Sequence, residues 1–533
     1  MELSEGSKLR HPEKVETSKA SPNTADDHEY PSGLRFALLM VSLYISMFLV
    51  ALDKLIISTA TPEITNEFHA EDDVGWYGTA YLLTNCAFLL VFGKLYTFLN
   101  VKTVFLCTLV LFEVGSAICG AAPNSVAFII GRAIAGLGAA GVQEGILVLV
   151  IYAVPLPKRP QYQGLFGAVY GISSIIGPLI GGAFTSNVTW RWCFYINLPL
   201  GGVVLLFIFF LLQVPTAAVS KGPSTWKQNL QQLNIEGVIA LLPGWSNGRI
   251  IALLTVGLAL LIAFILIQIW RPKTATVPVH IFTQRSILSG FWVSCCVGVH
   301  MTMFVYYLPI WFQAVKGNSA VESGIHLLPL VIAMVVSSII AGVGTTKTGY
   351  YTPFLIAGTC IVAIGSGLLT MLEVNTSTGK WIGYQIMYGF GLGGCFQAPN
   401  MAAQTVLPRH EVAIGASLML FGQTLFSAIF VSVGQNVLDQ HLSSRLAKIA
   451  GIHITPNQIN TAGITGIFEL IPTQYHGAVL QAYNASLHVC YIVALTFACL
   501  SVIGSICMEW RNVKNEGRRQ IEGQTNPTDE EVL

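Results

Sequence analysis

Charged residues are scarce in this sequence: Asp, Glu, Lys and Arg make up 10% of its 533 residues, whereas about a quarter is usual in soluble globular proteins. With 53% hydrophobic residues and a mean hydropathy of +0.63, the chain has too little polar surface to form soluble domains. We therefore expect it to lie in a lipid bilayer. The net charge of only +1 also excludes the basic surface that binding to nucleic acid would require.

Cysteine pairs at metal-ligand or disulfide spacing are also missing. The eleven cysteines are scattered singly through apolar runs, apart from the adjacent Cys295 and Cys296, and we interpret them as small buried hydrophobic residues. Residues 1–33 are polar, with mixed charge and no cleavable signal peptide, and they predict a disordered cytosolic tail. Residues 509–533 predict a second cytosolic tail.

Long apolar runs, in contrast, are abundant, and they predict an all-α polytopic membrane protein. A helix needs about 20 apolar residues to cross a bilayer. Thirteen runs meet this condition. The spans that we predict lie at 34–60, 74–98, 101–121, 126–153, 164–185, 192–214, 250–270, 286–315, 323–345, 353–372, 381–403, 412–437 and 487–508.

These spans divide the chain into two halves. Residues 34–214 hold six spans and 286–508 hold six more, with an outer loop at 438–486. A central linker at 215–285 contains one clear span and a piece at 235–243 that is too short to cross a bilayer on its own.

The positive-inside rule decides whether the short piece counts as a crossing. With fourteen crossings and a cytosolic N-terminus, 20 Lys and Arg residues fall on the cytosolic side and 6 on the outer side; with thirteen crossings the numbers are 16 and 10. The sequence therefore favours an even number of crossings. Three glycosylation sequons then lie on the outer side; their acceptors are Asn187, Asn375 and Asn484.

Ionisable residues within the spans are concentrated in the first half. A charged group in hydrocarbon is costly and usually faces a cavity or a partner, which makes it a functional candidate. The candidates for proton coupling are Asp53, Glu113, Arg132 and Glu144. The spans from 286 to 437 hold no Asp or Glu in a central position, so we expect any coupling chemistry in the first half.

Two of these residues are placed at the same depth. Asp53 lies nine residues before Pro62, and Arg132 lies nine residues after Pro123; both prolines mark the outer ends of their spans. Helices running in opposite directions would bring the carboxylate beside the guanidinium, where competition by a proton could release it. The alternative is a permanent structural ion pair. For Glu113 a hydrogen bond to a neighbouring helix is an equal alternative, and the role of Glu144 stays open.

Small and neutral polar residues follow helical faces in other spans. In span 4, Arg132, Gly136 and Gln143 share a face that resembles a cavity wall, and the opposite face is rich in glycine. In span 5 a small-residue stripe predicts close helix contact, and Pro178 predicts a pivot. In span 12, Gly393, Gln397, Asn400 and Gln404 share a face. The candidates for a substrate path are Gln143, Tyr306, Tyr307, Gln313, Gln397, Asn400, Gln404 and Gln423, with polar contacts between helices as the alternative for each.

These positions lie in motifs that resemble the major facilitator superfamily, specifically its fourteen-span drug:proton antiporter branch as found in fungi. The resemblance runs from Leu34 to Trp510. The motifs are Leu52-Asp53 with Ala60-Thr61-Pro62, Asp73-Val74-Gly75-Trp76-Tyr77, Gly131-Arg132 with Gly136 and Gly138, Gly171 with Gly177-Pro178 and Gly181-Gly182, Trp190-Arg191-Trp192 with Asn197-Leu198-Pro199, and Tyr306-Tyr307-Leu308-Pro309 with Phe312-Gln313-Ala314-Val315.

The resemblance implies two six-helix bundles around a central cavity, two extra spans between them and alternating access by rocking of the bundles. It also implies a link between Arg132 and proton movement, and a conformational role for the span 5 motif. The cytosolic loop motif Gly93, Lys94 and Lys102 fits the family. Three departures are Thr97, where an acidic residue is common, Phe426-Ser427 in place of a Gly-Gly pair, and the piece at 235–243, which is either a deletion in the first extra span or a wrong gene model.

Together these features predict a proton-coupled exporter of small amphipathic organic compounds, such as mycotoxins, other secondary metabolites or drugs. The proton gradient is the energy source, and no cofactor or metal is expected. The alternative is a siderophore or vacuolar amino-acid transporter of the same fold. We expect a monomer in the plasma membrane, with the vacuolar membrane as the alternative. The sequence lacks the catalytic clusters of a membrane enzyme and the selectivity ring of a channel.

Overall fold

The computed structural model describes residues 31–70, 73–212, 270, 276–449 and 472–518. The piece at 235–243 lies outside these ranges, as does the span at 250–270 apart from its last residue. Of the two predicted tails, only residues 31–33 and 509–518 are described. The first half contains α1 (Gly33–Phe68), α2 (Val74–Phe98), α3 (Val101–Ala121), α4 (Ser125–Ala153), α5 (Arg159–Asn187), α6 (Trp192–Tyr195) and α7 (Asn197–Leu211). The second half contains α8 (Val279–Phe282), α9 (Arg285–Ala314), α10 (Ala320–Ile325), α11 (Leu328–Thr348), α12 (Thr352–Leu369), α13 (Thr378–Cys395), α14 (Ala398–Val406), α15 (Val412–Leu446) and α16 (His476–Cys507).

Eleven helical segments among the described residues are long and apolar enough to cross a membrane. They correspond to all six predicted spans of the first half and five of the second. The prediction of one continuous helix over 381–403 is wrong, because α13 ends at Cys395 and α14 begins at Ala398. Pro399 lacks a backbone N–H and its ring would clash with the carbonyl of Cys395, which favours the break, although α5 and α9 continue through Pro178 and Pro309.

Two predicted helix ends in the second half are also wrong. The apolar run predicted an end at 437 for α15 and a start at 487 for α16, but α15 continues to Leu446 and α16 begins at His476. Leu438, Leu442 and Leu446 recur at helical spacing and are buried, so a packed stripe extends the helix beyond its most apolar part.

Close packing within the first half depends on small residues of α4. A Cβ on Gly138 would overlap the backbone of Phe112 in α3, so the predicted glycine seam of α4 lies against α3. The opposite face is not a cavity wall in this structure. Gly136 lies directly against Tyr81 and Thr84 of α2, and Ala139 is fully buried.

The small-residue stripe of α5 contacts two different helices. Its first part packs against the second half, where the Ser338 hydroxyl of α11 donates to the Gly164 carbonyl at 2.8 Å. Gly171 lies against Met334 of α11, whereas Gly177 and Gly181 lie against α1. Among the motif glycines farther along α5, Gly182 has only Val321 nearby. The single contact surface that the sequence predicted is therefore divided between α11 and α1.

The two halves meet closely at the face that we call the inner face, which carries Lys102, Lys158, Lys347 and Arg409 and is the predicted cytosolic side. Gly93 of α2 lies against Ser417 of α15 there. Every residue of α15 from Val412 to Met419 is buried, but none from Gln423 to Val433 is. The structure is therefore closed at its inner face.

Candidate functional site

The structure places Asp53 of α1 in direct contact with Arg132 of α4. The Arg132 Nη1 atom lies 2.7 Å from Asp53 Oδ2, and the side chains of Asp53 and Arg132 are 0% and 1% exposed. The two helices run in opposite directions, which brings residues far apart in the chain to the same depth. A charge-assisted hydrogen bond in a buried place is much stronger than a surface ion pair.

Further contacts fix the guanidinium of Arg132. Its Nε donates to the backbone carbonyl of Tyr77 at 3.0 Å. The guanidinium carbon lies 4.4 Å from the ring centroid of Tyr81 and 5.8 Å from that of Phe194. These cation–π contacts stabilise a cation whose water has been removed, so Arg132 keeps favourable contacts even when Asp53 does not pair with it.

The second oxygen of Asp53 accepts a hydrogen bond from a residue that the sequence did not single out as a site residue. Asn197 Nδ2 lies 3.3 Å from Asp53 Oδ1 and 3.1 Å from the Ser116 hydroxyl of α3. Asn197 is the first residue of α7, because the predicted sixth span is broken at Ile196 between α6 and α7. Its motif is visible in the sequence, and Pro199, four residues after the end of α6, was a signal of the break that aims its side chain inward.

Removal of one partner from a buried ion pair leaves an uncompensated charge, at a cost of about 3–5 kcal/mol. The Asp53–Arg132 pair can therefore separate only if the Asp53 carboxylate gains a proton or if another anion takes its place. The site thus has the chemistry of a switch between a paired anion and a neutral acid.

Glu113 lies close to this pair on α3 and is 8% exposed. Its carboxyl group is pressed against Gly201 of α7, where a Cβ would overlap it. Neither carboxyl oxygen has a hydrogen-bond partner among the described residues. Since an ionised carboxylate without a partner is costly in such a place, Glu113 is a second acidic group at the same site.

Glu144 is not part of this site. It lies twelve residues after Arg132 on α4, which corresponds to about 18 Å along the helix. Its carboxyl group is fully buried and has no hydrogen-bond partner among the described residues. The structure therefore does not bring the four proton-coupling candidates together.

The substrate-path candidates do not form one continuous strip. The helix break separates Gly393, on α13, from the other residues of the predicted face. Gln397 is the N-cap residue of α14, and Asn400 Nδ2 lies 3.5 Å from Gln397 Oε1, so these two residues stay together. Both side-chain polar atoms of Gln404 are buried without a partner among the described residues. The side chain of Gln143 accepts a hydrogen bond from Asn85 at 3.3 Å.

Two candidates in α9 have partners within the protein. The Tyr307 hydroxyl donates to the Val431 carbonyl at 3.2 Å, and Gln313 Nε2 donates to the Ser323 hydroxyl at 3.1 Å. Tyr306, the neighbour of Tyr307, is 46% exposed, and Gln423 is half-buried on α15. Of these four, Tyr306 is the most accessible to a substrate.

At the inner face the loop motif contacts both halves. Gly93 packs against α15, Lys94 is buried, and Lys102 donates to the Phe209 carbonyl of α7 at 2.6 Å. Thr97, at the position where an acidic residue is common, donates to the Lys94 carbonyl at 2.6 Å. The motif therefore lies where the halves close.

At the opposite face, Glu67 holds the segment that follows α5. Its carboxylate accepts a hydrogen bond from Trp190 Nε1 at 2.5 Å and one from Arg191 Nη2 at 2.6 Å. The hydrogen bond from Trp190, together with Arg191, holds the pKa of Glu67 below its usual value. We call these three residues the outer clamp.

One glycosylation candidate lies within a helix, where its side chain is already bonded. Asn484 belongs to the third turn of α16 and is half-buried. Its Nδ2 donates to the Leu372 carbonyl at 3.2 Å, and its Oδ1 accepts from Trp311 Nε1 at 2.7 Å, so the amide is not available for a glycan. Asn375 lies in an exposed loop, and Asn187 is the exposed last residue of α5.

Known proteins are similar to this chain over most of its length. A family model described as Major Facilitator Superfamily matches residues 43–431. The chain is 49% identical over 520 residues to an MFS-type transporter of Claviceps purpurea, covering 94% of this chain and 90% of the relative. It is 47% identical to the MFS-type efflux pump MFS1 of Trichophyton rubrum (94% and 96% covered) and 46% identical to the efflux pump aflT of Aspergillus parasiticus (92% and 98% covered).

Solved structures show the same fold at low sequence identity. The proton:xylose symporter XylE superposes with a TM-score of 0.59 at 12% identity, covering 90% of this chain and 98% of XylE. The human organic anion transporter MFSD10 superposes with a TM-score of 0.56 at 12% identity, covering 87% and 99%. On the family model, the close relatives and the fold, the chain belongs to the major facilitator superfamily and is a multi-span membrane transporter, not an enzyme.

Proposed function

We propose that this transporter exports small amphipathic organic compounds from a fungal cell in exchange for protons. Several relatives at 46–47% identity carry the name efflux pump, which supports export. The single observation that supports proton coupling is the fully buried Asp53–Arg132 pair with Asn197 on its second carboxylate oxygen.

In this inner-closed state Asp53 is paired with Arg132. A proton from the outer aqueous phase neutralises Asp53, which removes the attraction that holds α1 to α4 and frees the guanidinium. Arg132 stays positively charged and keeps its contacts with Tyr77, Tyr81 and Phe194, so α1 can move away from α4 and the inner face can open. When the proton leaves to the cytosol, the pair forms again and the next substrate is carried outward.

The substrate surface is proposed to consist of neutral polar and aromatic side chains rather than charged ones. The second half has no buried Asp, Glu, Lys or Arg among its described residues. Such a surface suits uncharged or weakly polar secondary metabolites and drugs, and it disfavours cationic amino acids. The plasma membrane is the proposed location, because export from the cell requires it.

The test has two steps. A strain lacking the transporter is first exposed to a panel of compounds, with and without a protonophore, to find those whose toxicity the transporter relieves. Transport of one such compound is then measured in inside-out membrane vesicles driven by a pH gradient. The proposal expects Asp53→Asn to abolish gradient-driven transport at normal protein levels.

The matched control is Asp439→Asn. Asp439 is a half-buried acid whose side chain bonds only to Gln435 among the hydrogen bonds seen in the described residues, so its replacement should leave transport near wild-type. Gradient-driven transport that persists in Asp53→Asn would overturn the proposed coupling.

A further inference from the structure

The second half of the protein contains one ionisable side chain that the coupling site does not use. His300 lies on α9 and is 0% exposed. Among the described residues of the second half it is the only Asp, Glu, Lys, Arg or His that is buried. It is not among the proton-coupling candidates that the sequence indicated.

His300 has one partner and one unused atom. Its Nδ1 lies 2.8 Å from the Tyr388 hydroxyl of α13, whereas Nε2 is buried without a hydrogen-bond partner in the described structure. Neither tautomer of a neutral imidazole satisfies both nitrogens here. A buried polar atom left without a partner is rare in native proteins and calls for an explanation.

The position of this contact repeats that of the Asp53–Arg132 pair. α1 and α9 are the first spans of their halves, and α4 and α13 are the fourth. Asp53 lies nine residues before Pro62, and His300 lies nine residues before Pro309. In each half, therefore, a titratable side chain of the first span binds a side chain of the fourth span at a similar distance from a proline.

The surroundings of His300 are mainly neutral on the helices that pack against α9. α13 contributes Tyr388, and α16 contributes Tyr491, which stacks on Phe304 of α9 with ring centroids 5.5 Å apart. α14 carries no titratable side chain. On α9 itself the thiols of Cys295 and Cys296 lie near His300. Apart from the half-buried His488 of α16, the charged side chains and histidines lie toward the helix ends: on α15 Asp439, His441 and Arg445, on α13 Lys380, on α16 His476, on α10 Glu322, after α10 His326, whose ring centroid lies 4.9 Å from that of Phe312 of α9, on α8 His280, which contacts Glu411, and on α9 Arg285.

We propose that His300 is a second proton-binding residue, which takes up a proton at Nε2 or Nδ1 when α9 and α13 move apart and releases it when they close on Tyr388. The proton comes from water of the outer phase and leaves to water of the inner phase. This proposal rests on the proposed function, since it adds a second proton to the same transport cycle. Protonation of His300 gives the second half a positive charge that appears only in the open state. In the first half the change is opposite, because protonation of Asp53 removes a negative charge.

The experiment counts protons and needs no substrate. Purified full-length protein in detergent is taken from pH 8 to pH 5 in weak buffer, and the protons bound per molecule are measured with a pH indicator. We expect His300→Gln, which keeps hydrogen-bonding capacity but cannot titrate, to bind one proton fewer than wild-type. The control is Gln385→Asn, which changes a buried side chain of α13 that cannot titrate, and it should bind the wild-type number of protons.

A second variant keeps the test decisive if His300→Gln does not fold. Tyr388→Phe leaves His300 and a ring of similar size in place, so it should bind the wild-type number of protons with the pH of one uptake step shifted. An unchanged proton count in His300→Gln, or an unchanged profile in Tyr388→Phe, would overturn the proposal. The result is independent of Asp53: if Asp53→Asn retains gradient-driven transport while His300→Gln loses a proton, coupling at Asp53 fails and the site at His300 stands.

Discussion

Asn197 and Arg132 bind opposite oxygens of the same carboxylate: Asn197 Nδ2 lies 3.3 Å from Asp53 Oδ1, and Arg132 Nη1 lies 2.7 Å from Asp53 Oδ2. Asn197 therefore positions the acid even though it carries no charge. Because it also donates to Ser116, the site joins α1, α3, α4 and α7.

The first prediction concerns this positioning residue. Asn197→Ala should reduce gradient-driven transport about tenfold or more, since a hydrogen bond to a charged group contributes about 1.5–3 kcal/mol. The measurement is the initial transport rate in vesicles, normalised to protein level. Asn85→Ala removes another buried asparagine, which bonds to Gln143 and Gly136 instead of the ion pair, and it should retain most of the rate. Equal losses in the two variants would contradict a special role for Asn197.

The second prediction separates stability from function at the ion pair. Arg132→Gln alone should lower the unfolding free energy by about 3–5 kcal/mol, because it leaves Asp53 buried without its cation. Adding Asp53→Asn should recover most of this loss, since the double variant has no unpaired charge. Thermal unfolding of the purified protein measures both. Transport should remain absent in the double variant. If its melting temperature stays as low as that of Arg132→Gln, the unpaired Asp53 charge is not the cause of the lost stability.

The third prediction concerns pH and the outer clamp. The lowered pKa of Glu67 means that the folded state favours its ionised form, so the clamp stabilises the protein above the ordinary glutamate pKa and loses this contribution as the pH falls through the lowered value. Since the Glu67 side chain is 46% exposed, the contribution should be about 1 kcal/mol or less. The melting temperature of wild-type should exceed that of Glu67→Gln at pH 7, and the difference should shrink below about pH 4.5.

The matched control for the clamp is Glu63→Gln, an exposed acid on the same helix. Its melting temperature at pH 7 should equal that of wild-type, because no hydrogen bond or ion pair of the outer clamp involves Glu63. A difference between wild-type and Glu67→Gln that grows on acidification would have the wrong sign for this explanation.

The fourth prediction concerns closure of the inner face. A Cβ on Gly342 would stand 2.5 Å from the Pro160 carbonyl oxygen, so Gly342→Ala should prevent α5 and α11 from closing and shift the protein toward an inner-open state. Thr345→Cys, at a position that is 4% exposed beside this contact, should then react faster with a membrane-impermeant maleimide in inside-out vesicles, above the background of the native cysteines. Gly367→Ala, whose Cβ would have only Leu495 nearby at 3.9 Å, should not change the rate. Equal labelling rates in Gly342→Ala and Gly367→Ala would show that the contact between α5 and α11 does not control closure of the inner face.

Hydrophobic length and family motifs were enough to predict the fold class and most of the spans. The break after Cys395 was missed because the apolar run continues through it, although Pro399 was a visible signal. The end of α15 and the start of α16 were missed because both were predicted from the length of the apolar run, which bilayer thickness limits. A helix can continue beyond the apolar run, as α15 does where Leu438, Leu442 and Leu446 are buried.

The candidate site was predicted in part. Counting residues from Pro62 and Pro123 placed Asp53 and Arg132 at one level, because depth along a helix follows directly from the sequence. The prediction that Pro62 ends its helix was wrong, since α1 continues to Phe68. Asn197 was missed because its orientation depends on the helix break at Ile196, although Pro199, whose ring would clash with the carbonyl of Tyr195, was a visible signal of that break. His300 is not among the predicted site residues because the absence of a central Asp or Glu from the second half indicated no coupling chemistry there, although an imidazole in an apolar span is an equally clear signal.

The stretch from Trp190 to Asn197 contacts three separate places: Trp190 and Arg191 bind Glu67, Phe194 lies beside the Arg132 guanidinium, and Asn197 binds Asp53. Eight consecutive residues thus connect the outer clamp to the buried carboxylate of Asp53. A displacement of the clamp would therefore pull on this carboxylate through a short connection that does not cross the rest of the bundle.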